Sequence, residues 1–99
     1  MDIKLVDRGD TGELLLSGRL DATNFKEVEV LFMQMADRFV NLTLDMKDLK
    51  FVSSAGLRSL LKLYMKIHAR GGELRAVNAA PHIIEVFEMT GFAEMLNIR

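Results

Sequence analysis

The apolar positions of this chain switch between two periods, and the switches lay out its elements. Ile3 to Val6 alternates weakly and predicts a strand. The run Arg8-Gly9-Asp10-Thr11-Gly12 is dense in turn formers, and Glu13 to Ser17 is apolar again, so residues 3–17 predict a hairpin. Gly18-Arg19-Leu20-Asp21 is expected to leave the sheet, with Thr23 or Asp21 capping a first helix. There Phe25, Val28, Leu31, Phe32, Met35, Ala36 and Phe39 recur near 3.6 residues, the spacing of a buried stripe. Val40-Asn41-Leu42-Thr43-Leu44 returns to period two and predicts a strand, followed by a loop over Asp45 to Ser53.

A second helix is predicted from Ser54. Leu57, Leu60, Leu61, Tyr64, Ile67 and His68 line one face, and Arg58, Lys62, Lys66 and Arg70 the other. Gly71-Gly72 stops it, Leu74 to Val77 predicts a further strand, and Pro81 suits the first position of a third helix. Ile83, Ile84, Val86 and Phe87 are that helix's apolar positions, and Gly91 follows its end. Phe92 to Ile98 predicts a last helical turn and an edge strand. Strand–helix–strand order implies parallel neighbours, so the expected fold is α/β: a small mixed sheet of about four to five strands packed with three to four helices.

Composition narrows the function classes. Ninety-nine residues, 49% hydrophobic and 27% charged, fit one globular domain spanning 1–99. Thirteen basic against fourteen acidic residues give a net charge of −1, which argues against direct nucleic-acid binding. Zero cysteines exclude disulfides, Fe–S clusters and thiol nucleophiles. With no signal-peptide pattern and no apolar run of spanning length, a cytoplasmic domain without membrane insertion is expected. No Gly-rich phosphate loop or nucleophile elbow nominates a catalytic residue, and no enzyme, metal or cofactor is expected. Asp45 and Asp48 are too few for a magnesium site and read as solvated loop charge. His68 reads as a partly buried helix residue, His82 as a surface one, and Lys62, Lys66 and Arg70 as a solvated stripe.

The segment before the second helix carries the candidate chemistry. Two serines stand at a helix start, where unpaired N–H groups and the positive dipole end favour negative charge. On one reading Ser53 or Ser54 is an N-cap and Gly56 permits close packing. On the other, Ser54 accepts a phosphate, with Ser53 as competitor, adding roughly −1.5 to −2 charges to an exposed corner. Arg58, one turn on, is then a partner contact or a ligand for that phosphate.

The run Asp48-Leu49-Lys50-Phe51-Val52-Ser53-Ser54-Ala55-Gly56-Leu57 resembles the signature of STAS domains of the anti-sigma factor antagonist type. Gly18-Arg19-Leu20-Asp21 is similar to that family's Gly-x-Leu-Asp element, and Gly71-Gly72-Glu73-Leu74 and Phe87-Glu88-Met89-Thr90-Gly91-Phe92 match its layout. The resemblance implies partner switching. The antagonist binds an anti-sigma factor that is a GHKL-type serine kinase; phosphorylation of one serine, Ser54 here, ends binding, and a PP2C-type phosphatase reverses it. It also implies that Asp21, Asp48, Ser53, Ala55, Gly56 and Arg58 shape or contact the partner surface. This chain departs from the family pattern at Ser53, where Asp is typical, at Ala55, where Ser or Thr is common, and at Arg58, often Gly. Those departures keep a second reading open: a constitutive interaction subunit of a sensory complex or of a lipid-transport ATPase, without a phospho-switch.

Overall fold

The computed structural model describes residues 1–95. Strands β1 (Asp2–Arg8) and β2 (Thr11–Leu20) form the expected hairpin around Gly9, whose φ of 84° is open to glycine at no steric cost. The chain continues through α1 (Phe25–Arg38), β3 (Asn41–Val52), α2 (Ser54–Ala69), β4 (Glu73–Val77), α3 (Pro81–Thr90) and the short α4 (Phe92–Met95). The sheet order is β1-β2-β3-β4; β1 and β2 are antiparallel, and β2, β3 and β4 are parallel. The edge strand expected after the last helical turn falls on Leu96–Ile98, outside the described residues.

Burial alternates along the strands, and one face of the sheet holds the core. Leu14, Leu16, Leu42, Leu44, Leu74 and Ala76 point to it, while Glu13, Thr43 and Arg75 share the opposite face. Val28, Phe32 and Ala36 close the core from α1 and Phe39 from just beyond its end, Leu57, Leu60, Leu63 and Ile67 from α2, and Ile83 and Phe87 from α3. The predicted α1 stripe is this buried face.

Four expectations require correction. Gly18 to Leu20 does not leave the sheet: β2 runs on to Leu20, which pairs with Val52. Nor is Asp45 to Ser53 a loop, because β3 extends to Val52 and only Ser53 separates it from α2. The reason is two bulges. Between Leu15↔Asp45 and Ser17↔Asp48, β3 advances three residues against two; between Gly18↔Leu49 and Arg19↔Phe51, two against one. The buried positions of β3 are therefore Leu42, Leu44, Met46, Leu49 and Val52, a spacing that shifts from two to three. The α1 start also differs. Asn24 holds the N-cap position with no side-chain cap, and Asp21 instead closes the preceding turn: its carbonyl accepts from Phe25 N–H at 2.9 Å.

The basic stripe of α2 faces solvent at Lys62 and Arg70, as expected, and along one edge it also meets α1. Lys62 Nζ lies 3.3 Å from Glu29 Oε1, Lys66 Nζ lies 2.8 Å from Asp37 Oδ1, and Arg70 donates to the Ala36 carbonyl. Lys66 also donates to the Met33 carbonyl, so Glu29, Met33 and Ala36 meet Lys62, Lys66 and Arg70 in turn, and α1 and α2 run parallel, side by side on the core face of the sheet. The hydrogen bond from Lys66 holds the Asp37 carboxyl below its ordinary range. Buried Ser59 adds a polar tie, with Oγ 3.4 Å from the Phe25 carbonyl oxygen. The fourth correction is His68: read as partly buried, it is exposed and stacks on Tyr64, ring centroids 5.4 Å apart. His82 is on the surface as expected, its Nε2 2.9 Å from the Lys50 carbonyl oxygen.

Candidate functional site

Both parallel crossovers deliver their helix starts to the carboxyl end of the sheet, where β2 and β3 finish together at Leu20 and Val52. Ser53 turns the chain there. Its backbone is extended (φ −90°, ψ 175°), its N–H donates to the Leu20 carbonyl at 2.9 Å, and its Oγ accepts from Gly56 N–H at 3.2 Å. Ser53 is therefore the N-cap. Ser54 follows as the first residue of α2, exposed, with its hydroxyl in no hydrogen bond among the described residues. The structure thus decides which serine caps the helix, a choice the sequence leaves open.

Gly56 fixes how close this turn sits to the sheet. A Cβ there would lie 2.8 Å from the Leu20 carbonyl oxygen and 2.7 Å from Leu20 Cγ. The same carbonyl is held by Ser53 N–H, so it has little freedom to give. Ala55 and Gly56 are both buried and shape the turn; Ser53, Ser54 and Arg58 present surface. Arg58 lines an open groove of about 450 Å³ with Ser54, Leu57, Thr90 and Phe92. Thr90 and Phe92 enter the site from the α3–α4 corner, and only the Phe87–Phe92 match in the sequence pointed toward them.

Asp21 borders the same end of the sheet. Its carboxylate accepts from Thr23 Oγ1 at 2.6 Å and Thr23 N–H at 2.9 Å, and Arg19 Nε stands 3.6 Å away. The Thr23 hydroxyl, then its amide, then Arg19 hold that carboxyl below the usual 3.8. The Arg19 guanidinium also lies 4.3 Å from the ring centroid of Phe51, an exposed aromatic that the sequence reading placed in a loop. Asp48 is exposed but stands opposite Ser17, back along β3, and makes no hydrogen bond or ion pair among the described residues. It does not join the cluster. Asp45 accepts from Lys47 N–H at 3.0 Å and Asn78 Nδ2 at 3.3 Å, a structural role in the β4–α3 turn. Among the described residues no three His or carboxylate side chains converge as a metal site would require, and no helix is long and apolar enough to cross a membrane.

What this corner can do is present a free hydroxyl on a positively polarised helix end, beside a cation and a partly apolar groove. The arrangement suits recognition and modification by another protein.

Known proteins share this fold. BtrV of Bordetella bronchiseptica, provisionally named an anti-sigma factor antagonist, is 31% identical over 84 residues, covering 84% of this chain and 72% of its own. The anti-sigma-B factor antagonist of Bacillus subtilis is 22% identical over 83 residues, covering 84% and 76%. Among solved structures, the Bacillus cell fate determinant SpoIIAA in its phosphorylated form superposes with a TM-score of 0.77 at 18% identity, covering 99% of this chain and 91% of that one. The fold expected from the sequence, an α/β mixed sheet, is the fold these neighbours share. The sequence model of the STAS domain matches residues 2–99, nearly the whole length, and the chain belongs to the STAS domain family.

Proposed function

We propose that this chain is an anti-sigma factor antagonist that works by partner switching at the start of α2. Unphosphorylated, it binds a cognate anti-sigma factor, a GHKL-type serine kinase, and so frees a sigma factor. The kinase transfers phosphate to Ser54, which ends binding, and a PP2C-type phosphatase restores it. The observation that carries this reading is the division of labour between the serines: Ser53 Oγ is occupied as the N-cap, and Ser54 Oγ is exposed one residue later. The relatives' names support the class of partner, and the phosphorylated SpoIIAA structure supports the type of modification.

A phosphate at this helix start gains the dipole and places bulk and charge where a partner must dock. Uncompensated charge and desolvation at an interface amount to several kcal/mol, so binding should weaken by roughly a hundredfold or more. Binding of the phosphorylated and unphosphorylated protein to the kinase, by calorimetry, tests this, alongside Ser54→Ala. The expected result is a phosphoform that no longer binds and a Ser54→Ala protein that binds but takes no phosphate. Equal affinities of the two forms would defeat the switch and favour a constitutive subunit of a sensory or transport complex.

A further inference from the structure

The cations of α2 are unequally provided for. Lys62, Lys66 and Arg70 each have an acceptor on α1. Arg58 continues that series one turn earlier, yet it has no carboxylate partner among the described residues. The reason lies in the parallel helices. At its level α1 is only beginning, at the apolar Phe25, and the Asp21 carboxylate of the preceding turn is already committed to Thr23 and Arg19. The first turn of α2 contains no acidic residue either. A guanidinium with no ion pair among the described residues and a helix N-terminus with no acidic residue in its first turn thus share one corner, and Ser54 and Arg58, four residues apart on one face, line the same groove.

We infer that Arg58 is an internal clamp for a phosphate on Ser54: its guanidinium folds back over the groove and binds the phosphoryl oxygens as a fork. This rests on the proposed phosphorylation of Ser54 and adds what becomes of the phosphate afterwards. An Arg–phosphate pair in fork geometry is among the stronger charge-assisted contacts, and it is directional. The clamp would lay phosphate and guanidinium together across Leu57, Thr90 and Phe92. Two groups offered to a partner in the free protein, the hydroxyl and the cation, would be withdrawn in one step. The off-state is then a filled groove as well as an added charge. A carboxylate in place of the serine is shorter and carries one charge, so Ser54→Asp would be a poor imitation.

The test uses the full chain with phosphoserine encoded genetically at position 54, so no kinase is needed. The second ionisation of the phosphate is followed by ³¹P NMR in this protein and with Arg58→Gln or Arg58→Lys added. The helix end acts on the phosphate in all three, so differences report Arg58. With Arg58 present the midpoint should lie below the ordinary value of about 6, and it should rise by about half a unit or more in Arg58→Gln. Arg58→Lys, which keeps the charge but loses the fork, should fall between. A midpoint moved by neither variant overturns the clamp, and should Arg58→Gln fail to fold, Arg58→Lys decides alone. Absence of phosphate on Ser54 in cells would remove the proposed function without altering this measurement, so the two failures are distinguishable.

Discussion

Gly56 shows how one missing side chain sets the site. It lets the first turn of α2 sit against the Leu20 carbonyl, which places Ser54 outward on a turn fixed to the sheet. Gly56→Ala should destabilise the protein by about 1–3 kcal/mol, because neither backbone nor Leu20 can withdraw without moving the strand end. Urea unfolding of the variant checks this; a loss no larger than a few tenths would mean the turn is softer than described. At this scale the sequence was legible in residue type and ambiguous in role. Ser and Gly at a helix start say cap and close approach, but whether Ser53 or Ser54 is the cap depends on backbone angles that only the end of β3 imposes. Arg58 and Ser54 were readable as neighbours because helical spacing is regular. Thr90 and Phe92 come from another part of the chain, and no local pattern marks where they dock.

Whole elements were legible where their period stayed constant. The α1 stripe, the β3 start and the glycine stops obey one repeat each. The second half of β3 does not, because two bulges displace its apolar residues by one position each, and a strand counted in twos reads there as a loop. The basic stripe of α2 was legible as a solvated face, but its ties to α1 were not: a charged face looks the same in sequence whether it meets water alone or a neighbouring helix as well. The α1–α2 seam makes a prediction about acid. Asp37 and Asp21 have carboxyls lowered from 3.8 in the folded state, so below that value the unfolded chain binds more protons. Their contribution is complete above pH 3.8 and is lost as pH falls through the lower folded values. Urea midpoints measured from pH 5 to pH 2 should fall in that window, and Asp37→Asn should flatten the decline. A variant with the same slope as the parent protein would show that the Lys66 pair contributes nothing.

Across the whole molecule, one core on one side of the sheet carries the stability. Phe32 is fully buried where α1 meets that core. Phe32→Ala should remove about 3–5 kcal/mol, a large part of the roughly 5–15 kcal/mol that holds a domain of this size. Thermal unfolding would show it as a drop of many degrees, while a small drop would mean the cavity collapses with unusual ease. The strand order has a separate consequence, for how the molecule is made. Among the described residues each strand lies beside the one synthesised just before it, and no later strand inserts between earlier ones. The β1–β2 hairpin is local, whereas each parallel pair joins strands separated by a helical crossover and forms against a larger loop-closure cost. A nascent chain can close the β1–β2 hairpin, add α1 and β3 against it, and then complete the sheet with β4, without undoing a pairing already formed.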